Sequence, residues 1–307
     1  SIKNGRKALH LCHINGVSAS EILSLNSWLT DQIIISAWKV FLPEKIDQKR
    51  SALIAVGGYG RNELHPHSDI DLMVLFTSKP NSIERLFVER YIRFLWDIGL
   101  QVGNSVRTLD DCVIQARKDV TVLTNLMESR PLFGNARLEK RLAIKLSPKR
   151  LWDVHDYFRA KTDEQLARHH FYNDTAYNLE PHIKEGPGGL RDIQTITWIA
   201  QRHFGSSDFT ELIKHNFLTA EEYRMLIRGR NFLWKLRNAL HFLSKRREDR
   251  LLFDYQKDIA QEFGYQNDRK SLAVEKLMKR YYRTVKELRF LNDLLIQYFQ
   301  QKILSHE

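Results

Sequence analysis

The stretch that decides the fold is LIAVGGYGRNELHPHSDIDLMVL, residues 53–75. A short apolar segment, Leu53 to Val56, runs into the paired glycines Gly57 and Gly58, and further on Asp69 and Asp71 stand either side of Ile70. Residues two apart on a strand point to the same face, so the two carboxylates converge while Ile70 and Leu72 turn into a core. Carboxylates that close raise one another's pKa unless a cation offsets the repulsion. Mg²⁺ suits the pair, because it prefers hard oxygen ligands, takes one or two carboxylates, and completes its octahedron with water and phosphate oxygens. The glycines supply the other half: without a Cβ, their backbone can approach a phosphate and present N–H groups to it. One element for phosphate and one for a metal that bridges phosphates is the equipment of phosphoryl-type transfer.

Other readings of these residues fail on spacing. Gly58-Tyr59-Gly60-Arg61-Asn62-Glu63 opens like a dinucleotide fingerprint but has Glu63 where the last glycine belongs, and the chain has no Walker A sequence. A hairpin with a chance Asp-x-Asp would not also supply the apolar-Gly-Gly lead and the apolar flanks of Ile70 and Leu72.

Outward from this stretch, residues 20–42 carry apolar side chains at helical intervals and end at Pro43, which predicts a helical lead-in. Downstream, LFVERYIRFLWDIGL reads as an amphipathic helix and QVGNSVRTL as a third strand. Strands alternating with helices imply a small mixed sheet with helices packed on it. After Leu146 the strand signals cease. Thr219-Ala220-Glu221-Glu222 is a capping-box pattern ahead of a long apolar repeat, and a second long helix turns Leu277, Met278, Tyr281, Tyr282, Val285, Leu288, Leu291, Leu295 and Phe299 inward and a basic stripe from Lys276 to Arg289 outward. The expected organisation is a domain over residues 1–146, with its core at 49–115, followed by an all-helical bundle over 147–307. The proline break in LSPKR marks the boundary.

Among 307 residues, 48 Lys and Arg against 37 Asp and Glu give a formal net charge of +11, a field that favours anionic partners without saying which. Nucleic acid as a partner rests on charge alone, since no aromatic base-stacking platform is evident. With Cys12 and Cys112 only, there is no disulfide framework or thiolate metal cluster, and a cytoplasmic setting is the simplest reading. The apolar runs fall short of the ~20 residues a membrane helix needs. The chain opens at Ser1 and stops at Glu307 just after an apolar-periodic segment, as a piece cut from a longer protein would.

An apolar residue, Gly-Gly, a short linker and Asp-apolar-Asp-apolar form the signature of the DNA polymerase β-like nucleotidyltransferase superfamily. More narrowly, GGYGRNELHPHSDIDL, VRTLDDC, TNLMESRPLFGN, YNLEPHIKEGPGGLRDIQTITWIAQRHFG and LLFDYQ together resemble the bacterial PII uridylyltransferase/uridylyl-removing family across nearly the whole chain. The resemblance implies Mg²⁺-dependent transfer of UMP from UTP to a tyrosine of the PII nitrogen-signalling protein, with pyrophosphate leaving. It implies phosphate contacts from Gly57, Gly58 and Ser68, metal binding by Asp69 and Asp71, and charge neutralisation by Arg61. The family's HD-type phosphohydrolase and glutamine-sensing ACT domains are not visible, and His155-Asp156 is an isolated dipeptide, so transfer without removal is expected. Transfer to RNA or a small molecule, or a nucleotide-binding module without chemistry, are the rivals.

Superfamily members place a third carboxylate on a neighbouring strand. QVGNSVRTL contains no acid, which leaves Asp110, just beyond it, as a catalytic candidate whose competing role is to cap the next helix. Pro187, Gly188 and Gly189 precede a helix bearing Arg191. Either that helix start with Lys184 or Arg191 receives nucleotide phosphates, or the segment is a tight turn with an Arg191-Asp192 surface pair. The histidines of HLCHING and ARHHFYND lack metal-ligand spacing.

Overall fold

The computed structural model describes residues 2–172, 175 and 178–304. Asn173 and Asp174, which end ARHHFYND, Tyr177, which opens YNLEPHIKEG, and Ala176 between them lie outside the described residues. The chain forms two compact units, one made of the residues up to Leu9 with Ser20–Trp152, the other of His10–Ala19 with the residues from Asp153 on.

The first unit is built on one four-stranded sheet: β1 (Ser51–Ala55), β2 (Ile70–Phe76), β3 (Val102–Thr108) and β4 (Arg130–Gly134), in the order β3-β2-β1-β4. β1 is antiparallel to β2 and β4, whereas β2 and β3 are parallel. A parallel pair needs a long crossover, here supplied by the helix Ser82–Asp97. That helix starts at a capping box between Asn81 and Glu84, and Glu84 also takes the Arg50 Nε at 2.7 Å. The mixed sheet is the one the alternating pattern predicts, and three of its strands fall where the sequence puts them.

β4 is a strand the periodicity does not reveal. Pro131 sits inside it, and proline removes a ladder donor, so such a segment reads as non-strand. It is tolerated because β4 is the outer strand and its register against β1 slips between Leu53 and Ile54.

Alternation along β1 and β2 sends Leu53, Ala55, Leu72, Val74 and Phe76 to one face, where they pack with Trp38, Phe87 and Tyr91. The Trp38 ring meets Phe87 and Tyr91 edge-on at 4.7 and 5.0 Å. Trp38 comes from the predicted lead-in helix, Ala19–Phe41, which stops two residues before Pro43. On the other face Met73 lies against Cys112, sulfur to sulfur 3.7 Å, beneath the helix Leu109–Lys118.

The second unit is helical among its described residues, apart from one isolated bridge between His182 and Arg250. The capping box predicted at Thr219 is present, with Thr219 and Glu222 bonded reciprocally at the start of the helix Ala220–Ser244. The last helix, Ala273–Leu304, buries Leu277, Met278, Tyr281, Val285, Leu288, Leu291, Leu295 and Phe299, while Tyr282, expected inward, is half-buried. No described helix is long and apolar enough to cross a membrane.

Candidate active site

Gly57–Gly60 forms a single helical turn directly after β1, with Val56 as its cap. Gly57 has φ +58°, a backbone state that L side chains resist. A Cβ there would also stand 2.8 Å from Asn125 Oδ1 and 3.2 Å from Asp71 Oδ2. The carboxylate of Asp71 thus lies against the glycine turn. The N–H groups that open a helical turn have no acceptor within it, which leaves those of Gly57 and Gly58 as the donors the sequence offers to phosphate.

Asp69 ends the loop and Asp71 is the second residue of β2; both are half-exposed, while Ile70 and Leu72 are buried at 5% and 1%. Asp71 pairs in register with Gly103 of β3, and a Cβ on Gly103 would stand 2.8 Å from Asp71 Oδ1. Glycine on both sides of one carboxylate leaves its two oxygens room for a ligand. The sequence does signal Gly103, because glycine inside a strand marks a close approach. Asn125, on the helix Val120–Met127, carries no local signal and is brought to the turn only by folding.

Two clamps hold the turn. Arg61, which follows it, gives Nε to Glu63 at 2.8 Å and Nη1 to Glu128. Burial works against the Arg61 charge, and the two carboxylates overcome it, so its pKa rises further. Its Nη2 lies against Gly58, 3.7 Å from where a Cβ would be. The buried Tyr59 donates its hydroxyl to Asp31. Arg130 grips the same Asp31 at 2.8 and 3.0 Å and stacks over the Tyr59 ring. Burial and the Asp31 bond push the Tyr59 phenol well above its ordinary pKa, which keeps it a neutral donor. The loop between turn and aspartates hangs from the lead-in helix, where Asn26 Nδ2 donates to Leu64 O at 2.9 Å and His65 O at 3.2 Å. Ser68 is half-exposed in that loop, its N–H bonded to His65 O.

Asp110 opens the helix Leu109–Lys118 with its side chain 80% exposed, paired with Lys145 at 2.8 Å. The capping role falls to its neighbour: Asp111 and Thr108 form the capping box.

Lys184 and Arg191 belong to the helical unit. Arg191 holds Glu185 through Nε at 3.2 Å and Nη2 at 3.0 Å, and Lys184 lies 3.5 Å from the same carboxylate. The alternative of an Arg191-Asp192 surface pair is corrected here. Asp192 is fully buried and accepts from Arg168 at 2.5 Å, His169 at 2.8 Å and the Gly188 N–H at 2.7 Å. Gly188 is required by packing, since a Cβ there would come within 2.1 Å of Val285 O. His13, in HLCHING, bonds Glu262 at 2.7 Å.

Among the described residues, one group of three His, Cys, Asp or Glu brings ligand atoms close enough for an ion: Asp153, His155 and Asp156. It spans the first turn of the helix Val154–Phe171, where Asp153 is the cap accepting from the Asp156 N–H.

The small mixed sheet with an aspartate beside a glycine turn has the class of nucleotidyltransferase domains as its counterpart among known families. Residues 41–133 match the family model described as Nucleotidyltransferase domain. Within that class the kinship is particular: residues 156–296 match the model described as GlnD PII-uridylyltransferase. The bifunctional uridylyltransferase/uridylyl-removing enzyme of Nitrosococcus oceani is 48% identical over 303 residues, 99% of this chain and 34% of that one. Its counterpart in Pseudomonas putida is 48% identical over 95% of this chain and 32% of its own. That of Pseudomonas fluorescens is 46% identical over 100% and 34%. The resemblance read from the motifs therefore stands, and the chain spans about a third of the length of these relatives.

Proposed function

We propose that this chain transfers UMP from UTP to a tyrosine hydroxyl of PII, releasing pyrophosphate, as a cytoplasmic step in the regulation of nitrogen metabolism. The observation that carries the reading is the Asp71 carboxylate set between Gly57 and Gly103 at the glycine turn, in a chain whose relatives bear the uridylyltransferase name.

In this reading Asp69 and Asp71 hold Mg²⁺. Two hard carboxylates, one with both flanks free of Cβ atoms, fit an ion that keeps open positions for water and phosphate oxygens. Bound there, the ion supplies charge neutralisation for the triphosphate. Gly57 and Gly58 offer N–H groups to the phosphates and Ser68 a hydroxyl. Arg61 acts on the nucleotide through the turn it clamps and through the Nη2 beside Gly58. The tyrosine oxygen bonds the α-phosphorus, the bond to the β-phosphate oxygen breaks with its electron pair, and the phenolic proton, with a pKa of about 10, passes to solvent.

The test is incubation of the chain with each labelled nucleoside triphosphate, Mg²⁺ and purified PII. The expected result is UMP on PII, reduced by at least about 10²-fold in Asp71→Asn, the loss typical of removing one group that meets developing charge. Labelling of RNA, or nucleotide binding with no transfer to PII, would overturn it.

A further inference from the structure

The outer edge of β3 is open beyond Val102, whose carbonyl accepts from Trp96 Nε1 at 3.0 Å. Edge strands are ordinarily shortened, bulged, or broken by proline. β4 shows two of these devices in Pro131 and its slipped register. β3 has neither: it is the outermost strand on its side and keeps unbroken register with β2 over all seven positions, Ile70–Val102 to Phe76–Thr108. Beside it, between β3 and the helix Ser82–Asp97, lies a groove of about 970 Å³. Its apolar wall includes Trp96 and Val106, which are 52% and 42% exposed.

Strand alternation relates this groove to the aspartate. Paired residues of neighbouring strands share a face, so Gly103 lies on the face of Asp71, while Asn104 and Val106 on the groove side alternate with it. A chain laid along β3 would send every second side chain into the groove and the others over Gly103 toward Asp71. Strands sit about 4.8 Å apart, so the added chain would run about 10 Å from β2. Only a long side chain crosses that distance, which favours a phenol over the hydroxyl of serine or threonine.

Resting on the transfer reading above, we infer that the β3 edge receives the acceptor: an extended, tyrosine-bearing segment of the protein substrate adds as a fifth strand, its phenol passing over Gly103 and a neighbouring side chain anchoring in the groove. The charge at the rim fits an acidic flank. Of the groove's three acids, Glu89 is paired by Arg93 at 2.9 Å and Asp110 by Lys145, while Asp111, capped by the neutral Thr108, keeps its charge and faces Lys79 and Arg107. Lys79, Arg85 and Arg107 against this one unpaired acid leave the rim with an excess of positive charge. Main-chain pairing gives such a mode its affinity, and the alternate pockets its specificity.

The test is Val106→Glu, which places a carboxylate on the exposed groove wall. Initial rates are measured against PII and against UTP separately, and UTP binding is titrated without acceptor. The expected result is a KM for PII raised at least tenfold, with KM for UTP and UTP binding within twofold of wild type. In parallel, hydrogen exchange of the wild-type chain on adding PII should slow at the amides of Asn104 and Val106, which alternate with those bonded to β2. An unchanged KM for PII, or protection confined to other segments, overturns the edge proposal while leaving transfer intact. Wild-type chain that binds UTP and modifies no protein instead sinks the transfer reading beneath it. A dimer formed through β3 without acceptor would assign the edge to a second copy and also overturn the proposal.

Discussion

Arg130, at the start of β4, holds Asp31 of the lead-in helix with both terminal nitrogens, 99 residues away in sequence. Tyr59 donates its hydroxyl to the same carboxylate from within the glycine turn. One carboxylate therefore ties the turn to the lead-in helix and the last strand of the sheet. Asp31→Ala strands a mostly buried guanidinium and a buried phenol, and is expected to destabilise the first unit by about 2–3 kcal/mol. Tyr59→Phe removes one bond to a charged partner and should cost about 1.5 kcal/mol. Urea denaturation of each variant, read as a shift in midpoint at constant slope, checks both.

The glycines of the turn are not equivalent. A Cβ on Gly60 would fall 1.9 Å from Glu128 O and 3.0 Å from Ala55 O, both backbone atoms that cannot swing aside. Gly99, outside the turn, has instead a positive φ, +84°, and nothing within 4 Å of its Cβ position. Gly60→Ala is expected to cost about 3 kcal/mol or more through overpacking, and Gly99→Ala about 1 kcal/mol through backbone strain alone. Thermal melts of the two variants side by side would show a much larger drop for Gly60→Ala.

What could be read in the sequence was what is local. Apolar alternation around Asp69 and Asp71, the Thr219 capping box and the Pro43 stop each act over a few residues, and each appears in the structure as read. What escaped was set by distant partners. Arg61 is clamped by Glu128, 67 residues on, and no spacing rule links them. Asp192 has the composition of a surface residue, yet folding surrounds it with Arg168, His169 and the Gly188 N–H. β4 was hidden by Pro131, because edge position, which makes proline tolerable there, belongs to the sheet and not to the segment.

Asp110 separates two accounts of the acceptor's proton. A base that takes the phenolic proton would contribute about 10²-fold or more, whereas an exposed partner of Lys145 contributes little to anything. With its side chain 80% exposed and already paired, Asp110→Asn is expected to keep transfer within about twofold of wild type, well below what a general base supplies. Initial rates across pH for Asp110→Asn and wild type decide it: a hundredfold loss, or a rate that recovers only as pH rises, would restore Asp110 as the third carboxylate.

The helical unit should show a pH signature of its own at Lys184 and Glu185. Burial, reinforced by Arg191 and Arg237, pushes the Lys184 ammonium down to about 8. Burial alone would raise Glu185, but the Arg191 bond and the charges of Arg191 and Lys184 prevail and hold it at about 2. For Lys184 the unfolded chain binds more protons between about pH 8 and 10.5, so stability rises with pH across that window. For Glu185 the stabilisation is complete above pH 4.5 and is lost as pH falls toward 2. Each contributes about 2 kcal/mol once partial exposure is allowed for. Urea midpoints measured from pH 3 to 10 should therefore climb at both ends of the range. Lys184→Met should erase the alkaline climb and raise stability at pH 7, since it removes a charge held in a desolvated site among other cations. An alkaline climb that survives in Lys184→Met would assign it to another group.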